Sequence, residues 1–353
     1  MNCDSLAEKV RAAERITPEE ALSLYRNMPL AELGALAAAV RWRKHPEPII
    51  TYIVDRNINY TNICSVGCAF CAFHRPETAP DAYVLTHEQI LQKVQELVNI
   101  GGVQILLQGG HHPNLPLDYY LDMLELLREK FPQVNIHGFS PAEICHLARL
   151  YRMRIEDILR RFKEAGLGSM PGGGAEILVD RVRGCLSPAK CTADEWLQVM
   201  EIAHHLGLRT TATMVLGHLE TIEDRIEHLR RLRQLQDRTG GFTAFIAWTY
   251  QPQNTRLGGT EAGAHQYLRT LALARIFLDN FENIQSSWVT QGPDVGQIAL
   301  LFGANDFGSL MMEENVVSAA GATFRMDEPT MQRLIRELGC QPRRRNTWYQ
   351  LLN

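Results

Sequence analysis

From residue 49 onward the chain alternates short apolar, β-branched runs with longer stretches in which apolar residues recur every three or four positions. The runs at 49–54, 103–107, 134–139, 168–170, 209–216, 242–248 and 284–288 have strand length and texture. Between them the spacing predicts helices over 86–99, 117–130, 155–165, 192–206, 221–239 and 262–280. Thr86 and Gln89 form a Thr-x-x-Gln capping box at the head of the first of these. Such regular alternation is the pattern of parallel strands joined by crossover helices. Six or more units predict an α/β fold, a full or partial (β/α) barrel of TIM type, with catalytic groups in the loops after the strand C-termini. A doubly wound open sheet is the competing arrangement. No G-x-G-x-x-G follows the first strand, which weakens the dinucleotide-binding form of it.

Outside the alternating part the texture changes twice. Residues 1–48 read as a helical extension, with Thr17 as a cap before Pro18 and Glu20 in the first turn. Residues 49–310 carry the barrel pattern. Residues 311–353 hold two further helical patterns, 313–320 and 327–338, read as a C-terminal helical cap.

Composition narrows the class further. The chain has 353 residues, 45% hydrophobic and 22% charged, which suits a globular protein with a large core. Lys plus Arg number 36 against 40 Asp plus Glu, so a net charge of -4 offers no general attraction for nucleic acid. The runs Arg230-Arg231-Leu232-Arg233 and Arg343-Arg344-Arg345 are read as solvated faces. The first residues lack the apolar core of a secretion signal, and no run reaches membrane-spanning length. A cytoplasmic protein without membrane or nucleic-acid partners is expected, with reduced cysteines serving metals or catalysis.

Three of the eight cysteines crowd one segment. Cys64-Ser65-Val66-Gly67-Cys68-Ala69-Phe70-Cys71 follows the first strand and places three thiols on one tight loop. Cuboidal iron–sulfur clusters are normally held by four thiolates, so a loop with three leaves one iron open for another molecule. The other reading of the same residues is a structural zinc site completed by His74. Zinc sites of that kind usually draw ligands from separated pairs in small modules, and a large barrel needs no metal to fold. Cys3, Cys145, Cys185, Cys191 and Cys340 are scattered and read as ordinary thiols.

The motif Cys64-x-x-x-Cys68-x-x-Cys71, with Phe70 before the last cysteine, resembles the radical S-adenosylmethionine (SAM) superfamily. The resemblance implies a [4Fe–4S] cluster on these cysteines, SAM on its open iron, and a 5′-deoxyadenosyl radical produced when one electron cleaves SAM. Phe70 would line the adenine site. Gln108-Gly109-Gly110 stands where the superfamily usually has Gly-Gly-Glu, so backbone carbonyls are expected to replace the carboxylate. Pro171–Arg183, His137–Ile144 and Gly303–Gly308 resemble the radical SAM enzymes of the futalosine route to menaquinone and the deazaflavin synthases. Within that group the stretch 171–196 is most similar to the dehypoxanthine futalosine cyclases, with aminofutalosine synthases as the alternative.

That resemblance implies hydrogen abstraction from ribose C4′ of dehypoxanthine futalosine and ring closure onto its benzoate. It also implies an electron donor such as flavodoxin or ferredoxin. Gln108, Gly109, Gly110, Ser140 and Glu176 are the expected SAM contacts, and Arg183 the fork for the substrate carboxylate. His218, Asp294 and Asp306 are the candidate acid–base groups.

Overall fold

The structure is a computed structural model and describes residues 2–352. Three helices, Cys3–Arg11, Pro18–Asn27 and Leu30–Lys44, precede the first strand. The second opens as its sequence requires. Thr17 Oγ1 accepts the Glu20 N–H and Glu20 returns a carboxylate to the Thr17 N–H, while Pro18 occupies a position whose N–H would have no partner.

Ten strands follow in chain order: β1 (Ile49–Ile53), β2 (Asp55–Asn59), β3 (Gln104–Gln108), β4 (Asn135–Gly138), β5 (Ser169–Met170), β6 (Arg209–Leu216), β7 (Phe242–Thr249), β8 (Asn283–Gln285), β9 (Asp306–Ser309) and β10 (Gln341–Arg344). All pairings between them are parallel, in the order β10-β1-β9-β8-β7-β6-β5-β4-β3-β2. From β2 to β9 each strand lies beside the next one in sequence, which excludes the doubly wound arrangement. Only Val54 separates β1 from β2, and this one extended stretch is bonded to β9 through its first half and to β3 through its second. The sheet therefore curls round until its ends meet on residues 49–59, giving the expected barrel type.

The strand expected at 49–54 thus continues to Asn59, and β9 and β10 are strands the apolar pattern does not announce. The reason is the polarity of the barrel interior. Along β2, Asp55, Asn57 and Asn59 alternate inward, and Gln104 and Gln108 do so from β3. An apolar-run criterion passes over strands whose inner face is polar, and over β10, a polar, partly exposed strand at the edge of the sheet. The helix expected at 313–320 shrinks to Val316–Ala319, because the Glu314 carboxylate turns back to accept the Val316 and Val317 N–H groups at 2.9 Å. The run at 284–288 divides at Trp288, which opens the short helix Trp288–Gln291. Residues 311–352 contribute a helix, Glu328–Glu337, and a strand, β10, that joins the sheet beside β1. No helix among the described residues is long and apolar enough to cross a membrane.

Beyond β10 the chain closes the floor of the barrel. Buried Arg345 forks onto Asp306 at 2.5 and 2.9 Å, and its guanidinium lies 3.9 Å over the Tyr349 ring. Thr347 donates to Gln104 at 2.6 Å, and Gln104 in turn donates to Asp55 at 3.0 Å. Breaking a buried ion pair leaves the surviving charge without a partner, which costs about 3–5 kcal/mol. Arg345→Met is expected to lower stability to chemical denaturation by about that amount. The double variant Arg345→Met/Asp306→Asn should recover much of it, since no lone charge then remains buried; equal loss in both would show that the ion pair does not hold this floor.

Candidate active site

Each strand of the wall ends at one mouth, and the cysteine loop lies across it directly after β2. The loop is held from outside by its own backbone. Cys64 N–H donates to Arg75 O (3.0 Å), Ser65 N–H to His111 O (3.0 Å) and Ala69 N–H to Leu186 O (2.8 Å). Its inner side faces a cavity of about 340 Å³ whose wall includes Cys64, Cys68, Cys71 and Phe70. All three thiols are free, and burial pushes Cys68 up to about 11 against the pull of the Lys190 ammonium.

Gly110 makes the docking of this loop possible. A Cβ there would lie 2.2 Å from the Ile63 carbonyl oxygen and 3.0 Å from the Cys64 Cβ, so any side chain would force the loop outward. Behind the same turn stands Glu143. Its Oε1 accepts from Tyr60 Oη (2.7 Å) and the Gly109 N–H (3.0 Å), and its Oε2 accepts from the Ser140 N–H (2.8 Å) and Oγ (2.7 Å). Burial raises this carboxyl, and its hydrogen bonds pull the other way. Ser140 caps the helix Pro141–Tyr151 with Glu143 as its box partner, and both residues line the cavity. The turn Gln108-Gly109-Gly110 lacks a carboxylate of its own, and one reaches it from the next helix.

Opposite lies a buried charge cluster. Glu176, at a left-handed φ of 40°, accepts from Lys190 Nζ at 2.8 Å, with Arg183 Nη1 3.5 Å from its other oxygen. Burial would raise Glu176, but the two cations outweigh it and the carboxyl is lowered. Lys190 also lies 5.2 Å from the Phe70 ring centre, so it faces both the loop and the carboxylate.

The comparisons with known proteins agree with this geometry. The profile of the radical SAM superfamily matches residues 58–232, and that of the CofH/MqnC C-terminal region matches 239–353. Cyclic dehypoxanthine futalosine synthase of Halalkalibacterium halodurans is 46% identical over 353 residues, which is 100% of this chain and 95% of that protein. The chain belongs to the radical SAM superfamily.

The cyclic dehypoxanthine futalosine synthase of Streptomyces coelicolor is 48% identical, covering 98% of this chain and 88% of its own. Aminodeoxyfutalosine synthase of Thermus thermophilus is 42% identical, covering 90% and 86%. The crystal structure of methylornithine synthase superposes with a TM-score of 0.75 at 19% identity, covering 96% of this chain and 97% of that one, and so shares the fold.

Radical SAM enzymes carry a [4Fe–4S] cluster and SAM, and the residues here fit that donor chemistry. Three free thiols line one cavity, and thiolates on a cuboidal cluster each bind a different iron and need not converge on one point. The zinc alternative needs such convergence. Among the described residues no three His, Cys, Asp or Glu side chains are placed to share a single ion.

Of the residues singled out from sequence, the structure brings Cys64, Cys68, Cys71, Phe70, Gln108, Gly109, Gly110, Ser140 and Glu176 to the cavity wall. The cavity wall does not include the other four. Arg183 is buried and spends its guanidinium on the carbonyls of Gly174, Ala175 and Cys191, so it builds the Glu176 turn and has no fork free for a substrate carboxylate. His218 follows β6, but its ring folds back to the Val215 carbonyl (2.9 Å) and Glu220 (3.1 Å), and burial lowers its pKa. Asp294 lies exposed in the first turn of the helix Pro293–Leu301. Asp306 begins β9, at the opposite end from the mouth, and is consumed by Arg345 and Thr51.

Lys190, Glu143 and Asp55 are cavity residues that sequence reasoning passed over. Two of them had a signal. Glu143 completes Ser-x-x-Glu before an apolar helix, and a Glu176 assigned to a buried site requires a nearby cation.

Two outcomes follow from this geometry. Gly110→Ala should leave the fold intact but lower the iron bound per chain after anaerobic reconstitution several-fold; full iron retention would show that the loop tolerates the displacement. Burial raises Asp55 to about 6, so its protonated form is favoured by folding. Its contribution to stability is complete below about pH 4 and is lost as pH rises through 6. Stability relative to Asp55→Asn should therefore fall by about 3 kcal/mol between pH 4 and 7. A pH-independent difference would place Asp55 in contact with water.

Proposed function

We propose that this enzyme converts dehypoxanthine futalosine to cyclic dehypoxanthine futalosine on the futalosine route to menaquinone. The observation that carries this reading is identity of 46% and 48% along nearly the whole length of two cyclic dehypoxanthine futalosine synthases from different organisms. The match to aminodeoxyfutalosine synthase is lower and shorter. A polar barrel interior supports the same reading, since a hydroxylated, anionic substrate needs polar partners around it.

Cys64, Cys68 and Cys71 hold the cluster, and Phe70, Gln108, Gly109, Gly110, Ser140 and Glu176 surround SAM. When bound, the pair supplies a 5′-deoxyadenosyl radical after one-electron reduction by a flavodoxin or ferredoxin in the cytoplasm. Glu143 fixes the Gly109 N–H and so leaves the carbonyl side of the turn for an ammonium group. The barrel wall and its floor, with Arg345, Thr347 and Tyr349, keep the reacting carbon away from bulk water.

The net change in substrate is one new bond between ribose C4′ and the aryl ring with loss of two hydrogens. One would leave as a hydrogen atom to the 5′ carbon of the adenosyl group; the other leaves as a proton, its electron returning to the cluster that the three cysteines would hold, and this proton needs an acceptor in the wall. His137 is held down to about 3 by burial and is too weak a base, with its Nδ1 engaged by Ser169 Oγ at 2.7 Å. Asp55 lines the cavity, accepts from Ser309 Oγ and Gln104 Nε2, and is raised by burial to about 6, so it is the carboxylate in the wall that could take the proton.

Incubated anaerobically with SAM, a reductant and dehypoxanthine futalosine, the protein should release 5′-deoxyadenosine and a product two hydrogens lighter than substrate. Serine at any of the three cysteines should abolish both. An adduct containing the adenosyl group would assign the chain to the aminofutalosine reaction instead.

A further inference from the structure

The charge cluster opposite the glycine turn is not balanced. Two cations face one carboxylate, with Lys190 Nζ 2.8 Å from Glu176 Oε1 and Arg183 Nη1 3.5 Å from Glu176 Oε2. The side chains of Glu176 and Arg183 are 5% and 3% exposed, so solvent screens the surplus positive charge poorly. Its neighbours do not cancel it. The carboxylate of Asp180, 3.9 Å from Arg183 Nε, is half exposed to water. Glu220 is taken by Arg225 at 2.5 Å, and burial keeps His111 and His218 neutral.

Pairing Glu176 does not by itself call for this surplus. Arg183, fixed on the carbonyls of Gly174, Ala175 and Cys191, already supplies one positive charge for one buried carboxylate. Lys190 is the second, and it is placed differently. Its ammonium lies 5.2 Å from the centre of the Phe70 ring and lines the cavity together with all three cysteines, whereas Arg183 does not. Beyond the effect of burial, the pull of Lys190 on the Cys68 thiol exceeds the push of Glu176. The positive end of the Lys190–Glu176 pair is therefore turned to the cysteine loop. It acts there through space, without Lys190 leaving its carboxylate.

A cuboidal cluster on three thiolates is an anion, and the electron it accepts before SAM is cleaved adds one more negative charge. Net charge is among the factors that set the potential of such a cluster. We propose that Lys190, oriented by Glu176, raises the reduction potential of the cluster and so eases entry of the electron from the reductant. Lys190 is a positioning residue in this role, since it works through the cluster and on no reacting atom. The inference rests on the cluster that the superfamily carries and is independent of which substrate is turned over.

The test reads the potential itself. Anaerobically reconstituted protein is titrated potentiometrically without SAM or substrate, the reduced cluster being detected by electron paramagnetic resonance, in wild type, Lys190→Gln, Lys190→Arg and Glu176→Gln. A unit charge in partly buried surroundings changes the reduction equilibrium about ten-fold, which is about 59 mV for one electron. Lys190→Gln should lower the potential by about that amount, Glu176→Gln should raise it, and Lys190→Arg should stay near wild type. A loosened loop or admitted water would move the variants in one direction, so opposite signs separate charge from structure. Equal potentials in all four proteins, or shifts of one sign in Lys190→Gln and Glu176→Gln, overturn the inference. So does a Lys190→Arg variant that behaves like Lys190→Gln. If Lys190→Gln does not retain its iron, Glu176→Gln decides by whether its potential rises. Each of these failures leaves the functional reading standing, whereas wild type that holds no cluster overturns both.

Discussion

The close approach of the Gly109–Gly110 backbone to the cysteine loop is the contact on which the rest of the site depends. With no Cβ at Gly110, the Ile63 carbonyl and Cys64 settle against the end of β3, and the loop's amides are then taken up by Arg75, His111 and Leu186. Held from behind in this way, the three thiols face the interior. The same turn is braced on its other side by Glu143, so a single carboxylate links the Tyr60 hydroxyl, the glycine turn and the cap of the following helix. Cysteine loop, glycine turn and helix terminus are one mechanical unit.

Below that unit the barrel departs from the usual packed interior of branched aliphatic side chains. Asp55, Asn57, Gln104, Gln108, Thr211, Thr213 and Gln285 face inward instead. Polar groups withdrawn from water are unfavourable unless paired. Most here are paired, through the Arg345–Asp306 fork, the chain from Thr347 through Gln104 to Asp55, and His137 on Ser169.

What could be read from the sequence follows the range over which the signal acts. The cysteine spacing, Phe70, the glycine turn and the Ser140 cap are local patterns, and their chemistry is written in consecutive residues. The barrel came from periodicity repeated over six units. Asp306 shows how the reading breaks down: β9 carries no apolar run, so the residue looked like part of a loop at the mouth when it starts a strand at the floor. Arg183 and His218 fail for another reason. Each stands at the expected place along the chain, but which carbonyls lie within reach of a guanidinium or an imidazole depends on the turns at Glu176 and Gly217, both with left-handed φ. Asp294 lies on an exposed helical turn, and nothing in its neighbouring residues announces that exposure. Lys190, fourteen positions from Glu176, could be reached only by asking what neutralises a buried carboxylate.

The proposed reaction requires a carbon radical at one position of a sugar held inside this barrel. The most direct measurement uses dehypoxanthine futalosine carrying deuterium at ribose C4′ and reads the isotope content of the 5′-deoxyadenosine released in a single turnover. Transfer of one deuterium to the 5′ carbon is predicted. Formation of the cyclic product together with unlabelled 5′-deoxyadenosine would contradict it.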